Sequence, residues 1–454
     1  MKIVVAGTGY VGLVTGVALA HIGHNVTCVD IDEKKINLMC QGISPIYEKD
    51  LEKLMQENKE RLNYTTNYKE AYSQADVIFI GVGTPEKADG SANLSYLYAV
   101  LDQIIESIKK DVVVVVKSTV PIGTNDEVEA YLNERVSGDI KVSVASNPEF
   151  LAQGTAVHDT LYATRIVVGV EDDRARDMMT KVYKPLTEEP YNVPFLLMDR
   201  RSAEMVKYAS NDFLALKISY INEISNFCEK IGADIEKVTN GMSFDPRIGN
   251  KFLNPGIGYG GSCFPKDTKA LHFLSQEYDS EIKTIKASIE VNKNQKTILF
   301  NKVKEKFADL ENLNVAILGL TFKAGTDDVR EAPSIDNIKL LLENGAFVKA
   351  YDPIGINNFN RSLFQDGKMD KYRDNLTYFT SIEEVIKDAD LVLIMTEWPE
   401  IKEFALGNYS ELMKTPYIFD GRNCYLLDEV KKYEIYYNSM GRKVINNIKV
   451  KISE

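Results

Sequence analysis

The chain opens with Lys2-Ile-Val-Val-Ala-Gly-Thr-Gly-Tyr-Val-Gly12, an apolar run followed by three glycines at GxGxxG spacing. Residues 2–6 predict a buried strand, residues 11–22 a helix with small residues facing a sheet, and residues 25–29 the next strand. Asp30 stands directly after that second strand. Because the glycines lie between a predicted strand and helix, with an acidic residue further on, the pattern predicts a dinucleotide-binding β-α-β unit.

The glycine fingerprint predicts how a dinucleotide would be held. The first two glycines permit a tight turn and backbone approach to a pyrophosphate, the third permits helix-strand packing, and the helix start favours an anion. Asp30 would accept hydrogen bonds from ribose hydroxyls and repel a 2'-phosphate, so we expect NAD rather than NADP. Lys35 could reach the same ribose or simply be solvated. The fingerprint residues expected at the cofactor are Gly7, Gly9, Tyr10, Val11 and Gly12.

The first part of the chain continues as alternating strands and helices. Short apolar runs at residues 77–80, 112–116, 141–145 and 166–168 are separated by helical stretches, which predicts a parallel, doubly wound sheet. Thr124-Asn-Asp-Glu127 matches a capping box and predicts a helix start. We expect the first domain to end near residue 195.

The rest of the chain predicts a long helix and a second α/β unit. Residues 201–230 keep helical periodicity without interruption, as expected of one long helix, an element that often forms a subunit interface. Strand and helix patterns resume at Asn314, and residues 75–86 are echoed by residues 389–400. The predicted fold is α/β, with two doubly wound Rossmann-like domains joined by a long central helix. The expected domains are 1–195 (NAD-binding), 196–300 (central helical, with the Cys263 loop) and 301–454 (a second nucleotide-binding unit).

Composition limits the classes of function. A chain of 454 residues is long enough for two or three domains. Its net charge of -12 is opposite to that of a nucleic-acid binder, so no nucleic-acid partner is expected. Five scattered cysteines and four histidines show no disulfide or metal pattern, which favours a reducing, cytoplasmic compartment and no catalytic metal. No apolar run approaches the ~20 residues of a membrane span, so no membrane partner is expected.

A cysteine loop is the strongest candidate for chemistry. In Gly258-Tyr-Gly-Gly-Ser-Cys-Phe-Pro-Lys-Asp267, Cys263 lies in a glycine-built turn close to Lys266 and Asp267. Nearby cations and backbone N–H groups favour the thiolate, which makes Cys263 a candidate nucleophile. The alternative is a small apolar side chain in a tight turn.

Polar residues also follow the predicted strands, at the sheet edge where open α/β sheets bind ligands. Thr84 and Thr119 could bond the cofactor or serve as ordinary turn residues, and Glu149 could be catalytic or a surface cap. Lys207 and Asn211, four residues apart on the long predicted helix, share a face. A lysine ammonium suits oxyanion stabilisation, and Asp267 suits proton acceptance through water.

With these residues assembled, the chain closely resembles the UDP-glucose 6-dehydrogenase family of nucleotide-sugar dehydrogenases over essentially its whole length. The motifs that carry the resemblance are residues 7–12, Asn147-Pro-Glu-Phe-Leu151, Lys207 with Asn211, Phe252-Leu-Asn-Pro-Gly256, residues 260–267 and Gly319-Leu-Thr-Phe-Lys-Ala-Gly-Thr-Asp-Asp-Val-Arg330. The resemblance implies two hydride transfers to two NAD molecules, which convert the primary 6-hydroxyl of a UDP-sugar to a carboxylate.

The resemblance also implies a role for each matching residue. Cys263 would form a thiohemiacetal and then a thioester, Lys207 and Asn211 would stabilise the oxyanion, Asp267 would manage protons with water, and Glu149 would assist hydrolysis. Contacts to NAD are implied for Asp30, Lys35, Thr119, Lys266 and Arg330; Thr119 is also expected to be catalytic, and Thr84 is expected at the cofactor from its place after a strand. Contacts to the UDP-sugar are implied for Glu149, Phe150, Leu151, Gln153, Lys207, Asn211, Phe252, Leu253, Asn254, Gly256, Gly260 and Lys323.

Two further points bear on assembly and substrate. Arg247 resembles an arginine that relatives supply to a neighbouring subunit's substrate, which implies a homodimer or a higher homo-oligomer. Gln153 departs from the glutamate of many relatives, which removes a proton shuttle there and leaves an amide able to donate and accept hydrogen bonds. Three alternatives stay open: another nucleotide-sugar 6-dehydrogenase, a two-electron nucleotide-sugar or hydroxyacid dehydrogenase in which Cys263 only packs, and an NAD-binding regulatory or scaffold protein without catalysis.

Overall fold

The computed structural model describes residues 1–449 as two compact units. The first comprises residues 1–210 and 269–280, and the second comprises residues 211–268 and 281–454, of which residues up to 449 are described. The boundary at residue 210 lies inside one continuous helix.

The first unit is an eight-stranded sheet covered by helices. Its strands are β1 (Lys2–Ala6), β2 (Asn25–Val29), β3 (Leu62–Thr65), β4 (Val77–Ile80), β5 (Val112–Val116), β6 (Val142–Ser146), β7 (Ile166–Val170) and β8 (Phe195–Met198). Its complete helices are α1 (Tyr10–His21), α2 (Glu33–Cys40), α3 (Leu51–Glu57), α4 (Tyr68–Ser73), α5 (Ser95–Ser107), α6 (Thr124–Arg135), α7 (Ala156–Leu161) and α8 (Asp173–Thr187).

The strand order is β3-β2-β1-β4-β5-β6-β7-β8, so the direction of winding reverses between β1 and β4. Every residue of β5 is buried because helices cover both faces of the sheet. The pairs are parallel except β6 with β7, which departs from the purely parallel expectation. β6 ends and β7 begins at the same end of the sheet. The chain therefore does not cross back to the opposite end between them, as it must between two parallel strands.

Close backbone approach at the reversal point explains the glycines. Gly7 has φ +88°, and a Cβ atom on Gly12 would overlap the carbonyl oxygen of Gly7. A Cβ atom on Gly81, which follows β4, would lie 2.8 Å from the Cα of Gly12. The first turn of α1 can therefore pack against the ends of β1 and β4 only with glycine at these positions.

The long helix is α9 (Arg200–Ile231), close to the predicted span of residues 201–230. It also supplies the cap of α6: the Glu204 carboxylate accepts hydrogen bonds from Gly123 N (2.6 Å) and from Asn125 N (2.9 Å). The predicted helix start at Thr124 is confirmed, but the capping box is wrong. Thr124 lies inside the first turn, where its hydroxyl donates to Pro121 O (2.6 Å), and a side chain distant in sequence provides the cap.

The second unit carries a seven-stranded sheet. Its strands are β9 (Asn314–Leu318), β10 (Phe347–Tyr351), β11 (Leu376–Phe379), β12 (Leu391–Ile394), β13 (Tyr417–Asp420), β14 (Tyr436–Ser439) and β15 (Ile445–Asn446). The helices after α9 are α10 (Ile235–Ser243), α11 (Phe264–Glu277), α12 (Lys283–Gln295), α13 (Ile298–Lys306), α14 (Pro333–Glu343), α15 (Ile356–Phe364), α16 (Ile382–Ile386), α17 (Pro399–Lys402), α18 (Leu406–Leu412) and α19 (Leu427–Val430), with a 3₁₀ turn at Asp370–Asn375.

The order β11-β10-β9-β12-β13-β14-β15 repeats the winding of the first unit, and only the β14–β15 pair is antiparallel. Two mostly parallel α/β sheets joined by a long helix confirm the predicted fold class. The division at residues 195 and 300 stays a prediction. Within residues 1–449, no helix combines the length and apolarity needed to cross a membrane.

The glycine packing gives a testable pair of variants. We expect Gly12→Ala to destabilise the first unit by about 3 kcal/mol, because the added methyl group meets backbone that cannot move aside. Gly9→Ala is the matched control: nothing lies within 4 Å of a Cβ atom there, and φ is -70°. Thermal unfolding followed by circular dichroism measures both. Equal melting temperatures for the two variants would contradict this account of the turn.

Candidate active site

The cofactor end of the first unit centres on Asp30, which follows β2. Its Oδ2 accepts hydrogen bonds from the backbone N (2.7 Å) and the hydroxyl (2.6 Å) of Thr8, inside the glycine turn. Burial opposes the charged form of Asp30, but these bonds and the nearby Lys35 ammonium lower its pKa. Asp30 is therefore a carboxylate at neutral pH, as ribose recognition requires, and Lys35 lies close enough to act on the same group.

The helix start beside Asp30 fits a pyrophosphate. The N-terminal residue Gly9 makes no side-chain cap bond, and the first turn of α1 contains no acidic residue. A Cβ atom on Gly9 would meet nothing within 4 Å, so space is left beside the first N–H groups. Uncapped N–H groups with open space form an anion site. The residues present thus fit a dinucleotide.

Three other predicted cofactor residues border this end of the sheet. Tyr10 directs its hydroxyl to Tyr47 O (2.8 Å) and to the Glu48 carboxylate, and Val11 follows it in the first turn of α1. The Thr84 hydroxyl donates to Thr119 O (2.8 Å), which ties the loop after β4 to the loop after β5. Tyr10 and Thr84 thus hold neighbouring protein segments in place.

A buried ion pair joins Glu149, after β6, to Lys207 on α9. Lys207 Nζ lies 2.8 Å from Glu149 Oε1, and both side chains are less than a tenth exposed. Burial disfavours the charged carboxylate, but the charge and hydrogen bond of Lys207 outweigh it and lower the pKa of Glu149. Glu149 also accepts a hydrogen bond from Leu151 N (2.9 Å). It is therefore held as a carboxylate able to accept a proton.

Lys117 is a site residue that the sequence reasoning missed. Its Nζ donates to Asn147 Oδ1 (3.2 Å) and Asn147 O (3.4 Å), and burial lowers its pKa to about 8. The charges of Glu149 and Lys207 reach it with opposite effects on that pKa. In the sequence, Lys117 is marked only by its place directly before the Ser-Thr-Val-Pro loop. The last residue of any buried strand can precede a loop, so this place did not indicate a functional side chain.

The loop after Glu149 has an anchor that was also missed. The Glu48 carboxylate accepts hydrogen bonds from Gly154 N (2.8 Å) and Ala156 N (2.9 Å), which fixes the segment that contains Gln153. The ring of Phe150 lies 4.0 Å beneath the Arg165 guanidinium. Residues 147–151 form one wall of a cavity of about 180 Å³, which Lys117 and Arg165 also line.

In the second unit, the cysteine loop packs against the segment after β9. Gly261 N donates to Arg330 O (2.7 Å), and a Cβ atom on Gly260 would overlap the carbonyl oxygen of Glu331. Cys263 is exposed and immediately precedes α11, whose first turn bonds back from Asp267 N to Cys263 O (2.8 Å). A thiol at a helix N-terminus is favoured as the thiolate.

Arg330 adds a second positive influence on the thiol. Burial lowers the pKa of Arg330, but the bond to Asp328 and the charges of Asp328 and Cys263 raise it overall. The interaction is reciprocal, so the guanidinium favours the Cys263 thiolate. The sequence reasoning assigned Arg330 to NAD and did not foresee this effect, because the two residues are far apart in the chain.

Both oxygens of Asp267 are engaged by neighbours. Lys266 Nζ donates to Oδ1 and Asn211 Nδ2 donates to Oδ2, each at 2.6 Å. Asp267 is 1% exposed, so these two bonds supply the partners that a buried carboxylate needs. The structure thus brings Asn211 and Lys266 to Asp267, which follows Cys263 by four residues.

Three amide side chains pin the loop before Cys263. Asn222 Oδ1 accepts from Gly256 N (2.8 Å), Gln295 Nε2 donates to Gly256 O (2.6 Å), and Asn292 bonds both the N (2.7 Å) and the O (3.0 Å) of Tyr259. Asn222 lies on α9, and Asn292 and Gln295 lie on α12. The sequence patterns of these helices predict amphipathic helices but not hydrogen bonds to the cysteine loop. No sequence signal distinguished them from surface amides.

The other predicted substrate residues differ in exposure. Phe252 and Asn254 are exposed, whereas Leu253 is buried against Ile221 and Ile235, so only its backbone can meet a ligand. Lys323 Nζ lies 5.8 Å from the ring centre of Phe322.

Arg247 points into solvent, with 87% of its side chain exposed, and pairs with Asp245. No cluster of three or more potential metal ligands occurs within residues 1–449.

Comparison with known proteins gives matches along the chain. Models of the UDP-glucose/GDP-mannose dehydrogenase family match in order: its NAD binding domain at residues 1–187, its central domain at residues 201–294 and its UDP binding domain at residues 316–426. The order agrees with the two sheets and the helical segment between them.

Relatives match over nearly full length. UDP-glucose 6-dehydrogenase YwqF of Bacillus subtilis is 48% identical, with 98% of each chain covered, and the UDP-glucose 6-dehydrogenase of Rhizobium meliloti is 44% identical, with 97% of this chain and all of that one covered. The structure of a UDP-glucose dehydrogenase from Pyrobaculum islandicum aligns with a TM-score of 0.87 at 35% identity, over 97% of this chain and 98% of that one. The chain therefore belongs to the UDP-glucose/GDP-mannose dehydrogenase family.

Proposed function

We propose that this chain is an NAD-dependent UDP-glucose 6-dehydrogenase, which oxidises the primary 6-hydroxyl of UDP-glucose to the carboxylate of UDP-glucuronate. The observation that carries the proposal is the placement of Cys263: an exposed thiol at a helix N-terminus, under the influence of Arg330 and close to Asp267. Relatives at 42–48% identity bear the same enzyme name, which supports UDP-glucose over other nucleotide sugars.

The overall reaction consumes UDP-glucose, one water and two NAD⁺, and yields UDP-glucuronate, two NADH and three protons. NAD supplies the hydride acceptor for each of the two oxidations. The protein must therefore stabilise an oxyanion, hold the intermediate aldehyde and move protons. These tasks fall to different side chains.

The first oxidation removes a proton from the 6-hydroxyl as a hydride leaves C6. In the proposal, Asp267 accepts that proton through a water, because both of its oxygens are already held in place by donors that keep it charged. The Lys207 ammonium and the Asn211 amide stabilise the developing oxyanion. They stand four residues apart on α9, as two groups acting on one atom require.

The second oxidation proceeds on Cys263. The thiolate adds to the aldehyde carbon, which forms a C–S bond and moves the carbonyl π electrons to oxygen as a thiohemiacetal. Loss of hydride from that carbon restores the carbonyl and leaves a thioester. Water then adds, the C–S bond breaks, and the thiolate leaves. Glu149, a carboxylate with a lowered pKa, accepts a proton from the attacking water.

The remaining predicted residues are proposed to bind the two ligands. On the NAD side these are Gly7, Gly9, Tyr10, Val11, Gly12, Asp30, Lys35, Thr84, Thr119, Lys266 and Arg330. On the UDP-glucose side these are Phe150, Leu151, Gln153, Phe252, Leu253, Asn254, Gly256, Gly260 and Lys323. For Leu253 the proposed contact is made by the backbone, because its side chain is buried in the core.

We propose that the active form is at least a homodimer. Phe213, Tyr220 and Phe227 repeat every seven residues on α9 and are 61%, 50% and 58% exposed. Such a stripe of exposed aromatic side chains is typical of a helix that packs against a second copy. The exposed Arg247 would then reach the substrate of the neighbouring subunit.

The covalent role of Cys263 predicts a selective loss of activity. We expect Cys263→Ala to lower kcat for UDP-glucuronate formation at least about 1000-fold, because no other group can hold the aldehyde for the second oxidation. Product formation is measured by chromatography. Cys40→Ala, which removes another exposed thiol, is the control and should keep wild-type kcat. UDP-glucuronate formation retained in Cys263→Ala would contradict the covalent role of Cys263.

The proposed sharing of Arg247 predicts complementation between inactive subunits. Arg247→Ala and Cys263→Ala should each be inactive alone. Co-expression should give about a quarter of wild-type activity, because half of randomly formed dimers are mixed and each contains one complete site. Co-expressing Lys207→Ala with Cys263→Ala is the matched control and should stay inactive. No recovery in the first mixture would mean that Arg247 does not serve the partner.

A further inference from the structure

Asp212 is a buried carboxyl group that the proposed mechanism does not use. It follows Asn211 on α9 and is 4% exposed, and neither of its oxygens has a hydrogen-bond partner within the described residues. Burying an ionised carboxylate without a partner costs several kcal/mol, so such a group takes up a proton instead. Its surroundings therefore favour the neutral acid.

The acid whose charge acts on Asp212 is Asp267 on α11, which is also buried, and the two differ in their partners. Asp267 receives a hydrogen bond from Lys266 and another from Asn211, whereas Asp212 receives none within residues 1–449. Two neighbouring buried carboxyls avoid double ionisation, and the one with donors keeps the charge. The contacts thus assign the negative charge to Asp267 and the proton to Asp212.

The electrostatic environment agrees with this assignment. Burial, followed by the charge of Asp267, raises the pKa of Asp212 to about 8. The Tyr259 phenol, in the loop before Cys263, also faces Asp212: burial, and less strongly the Asp212 charge, raise the pKa of Tyr259 to about 12. Burial and the charge of Asp267 therefore both penalise ionisation of Asp212 at neutral pH, whereas Tyr259 is a neutral phenol there.

We propose that Asp212 is a positioning residue that acts through Asp267: it stays protonated at neutral pH, so that Asp267 is the one charged carboxylate of the pair. When Asp212 ionises in alkaline solution, a second negative charge faces Asp267 and opposes the formation of the thiolate and oxyanion that turnover requires. The inference rests on the proposed function for the role of Asp267, whereas the protonation of Asp212 is testable without turnover.

The test compares wild type with Asp212→Asn, an isosteric and permanently neutral variant. An acid whose pKa is higher in the folded than in the unfolded chain stabilises the fold less as pH rises towards the folded-state value. Wild type should therefore lose stability relative to Asp212→Asn between pH 5 and pH 8. We expect the melting-temperature difference to widen by about 5 °C or more over that interval and to level off above it.

Asp177→Asn, the same substitution on the exposed face of α8, is the control and should run parallel to wild type. Asp267→Asn should shift the pH-dependent loss of stability seen in wild type to lower pH, because it removes the negative charge that disfavours ionisation of Asp212. A melting-temperature difference between Asp212→Asn and wild type that is constant from pH 5 to pH 9 would overturn the proposal, because a merely structural role would give that result.

Turnover gives an independent measurement. Asp212→Asn should have wild-type kcat within about twofold at pH 7, where Asp212 is mostly protonated, and should exceed wild type increasingly above pH 8. Identical pH profiles would overturn the link to Asp267. Failure of the proposed function itself would show differently, as no UDP-glucuronate formed by wild type at any pH, while the melting curves would still report the proton on Asp212.

Discussion

A carboxylate that leaves water must find a donor or take up a proton, and this constraint organises the chemistry of both units. Asp30 keeps its charge because Thr8 donates to it twice, Glu149 because Lys207 lies 2.8 Å away, and Asp267 because Lys266 and Asn211 donate to its two oxygens. Asp212 has no such donor within residues 1–449. Asp30, Glu149 and Asp267 are therefore charged, and Asp212 is neutral. This difference cannot be read from the residue types, aspartate or glutamate.

Asp30 and Glu149 follow strands, where backbone is free to meet a ligand, whereas Asp212 and Asp267 lie on helices α9 and α11. In the first unit, the turns after β1, β4, β5 and β6 supply the glycine fingerprint, Thr84, Thr119 and Glu149. In the second unit, the segment after β9 packs backbone to backbone against the cysteine loop, which only glycine at position 260 allows. Helix α9 carries Lys207 and Asn211 at successive turns. Helices thus hold Lys207, Asn211 and Asp267, whereas Glu149 and Cys263 lie in loops directly beside regular elements.

Much of the fold and part of the candidate site could be predicted from the sequence. β1, β2, β4 and β5 begin and end as expected, and of these β4 and β5 are fully buried and read as uninterrupted apolar runs. The antiparallel β6–β7 pair and the capping of α6 by Glu204 were not foreseen, since both depend on where distant segments meet. Lys117, Glu48, Asn292 and the influence of Arg330 on the thiol were missed for the same reason. Local pattern encodes periodicity, whereas a contact between residues thirty or more positions apart has no local signature.

The central claim is that one sugar stays on Cys263 between two oxidations. The most direct test is the amount of NADH formed per UDP-glucose when the sugar is limiting and NAD is in excess, followed at 340 nm. The account predicts two NADH per sugar, with UDP-glucuronate as the product and no accumulated aldehyde. One NADH per sugar, with an aldehyde released into solution, would contradict it.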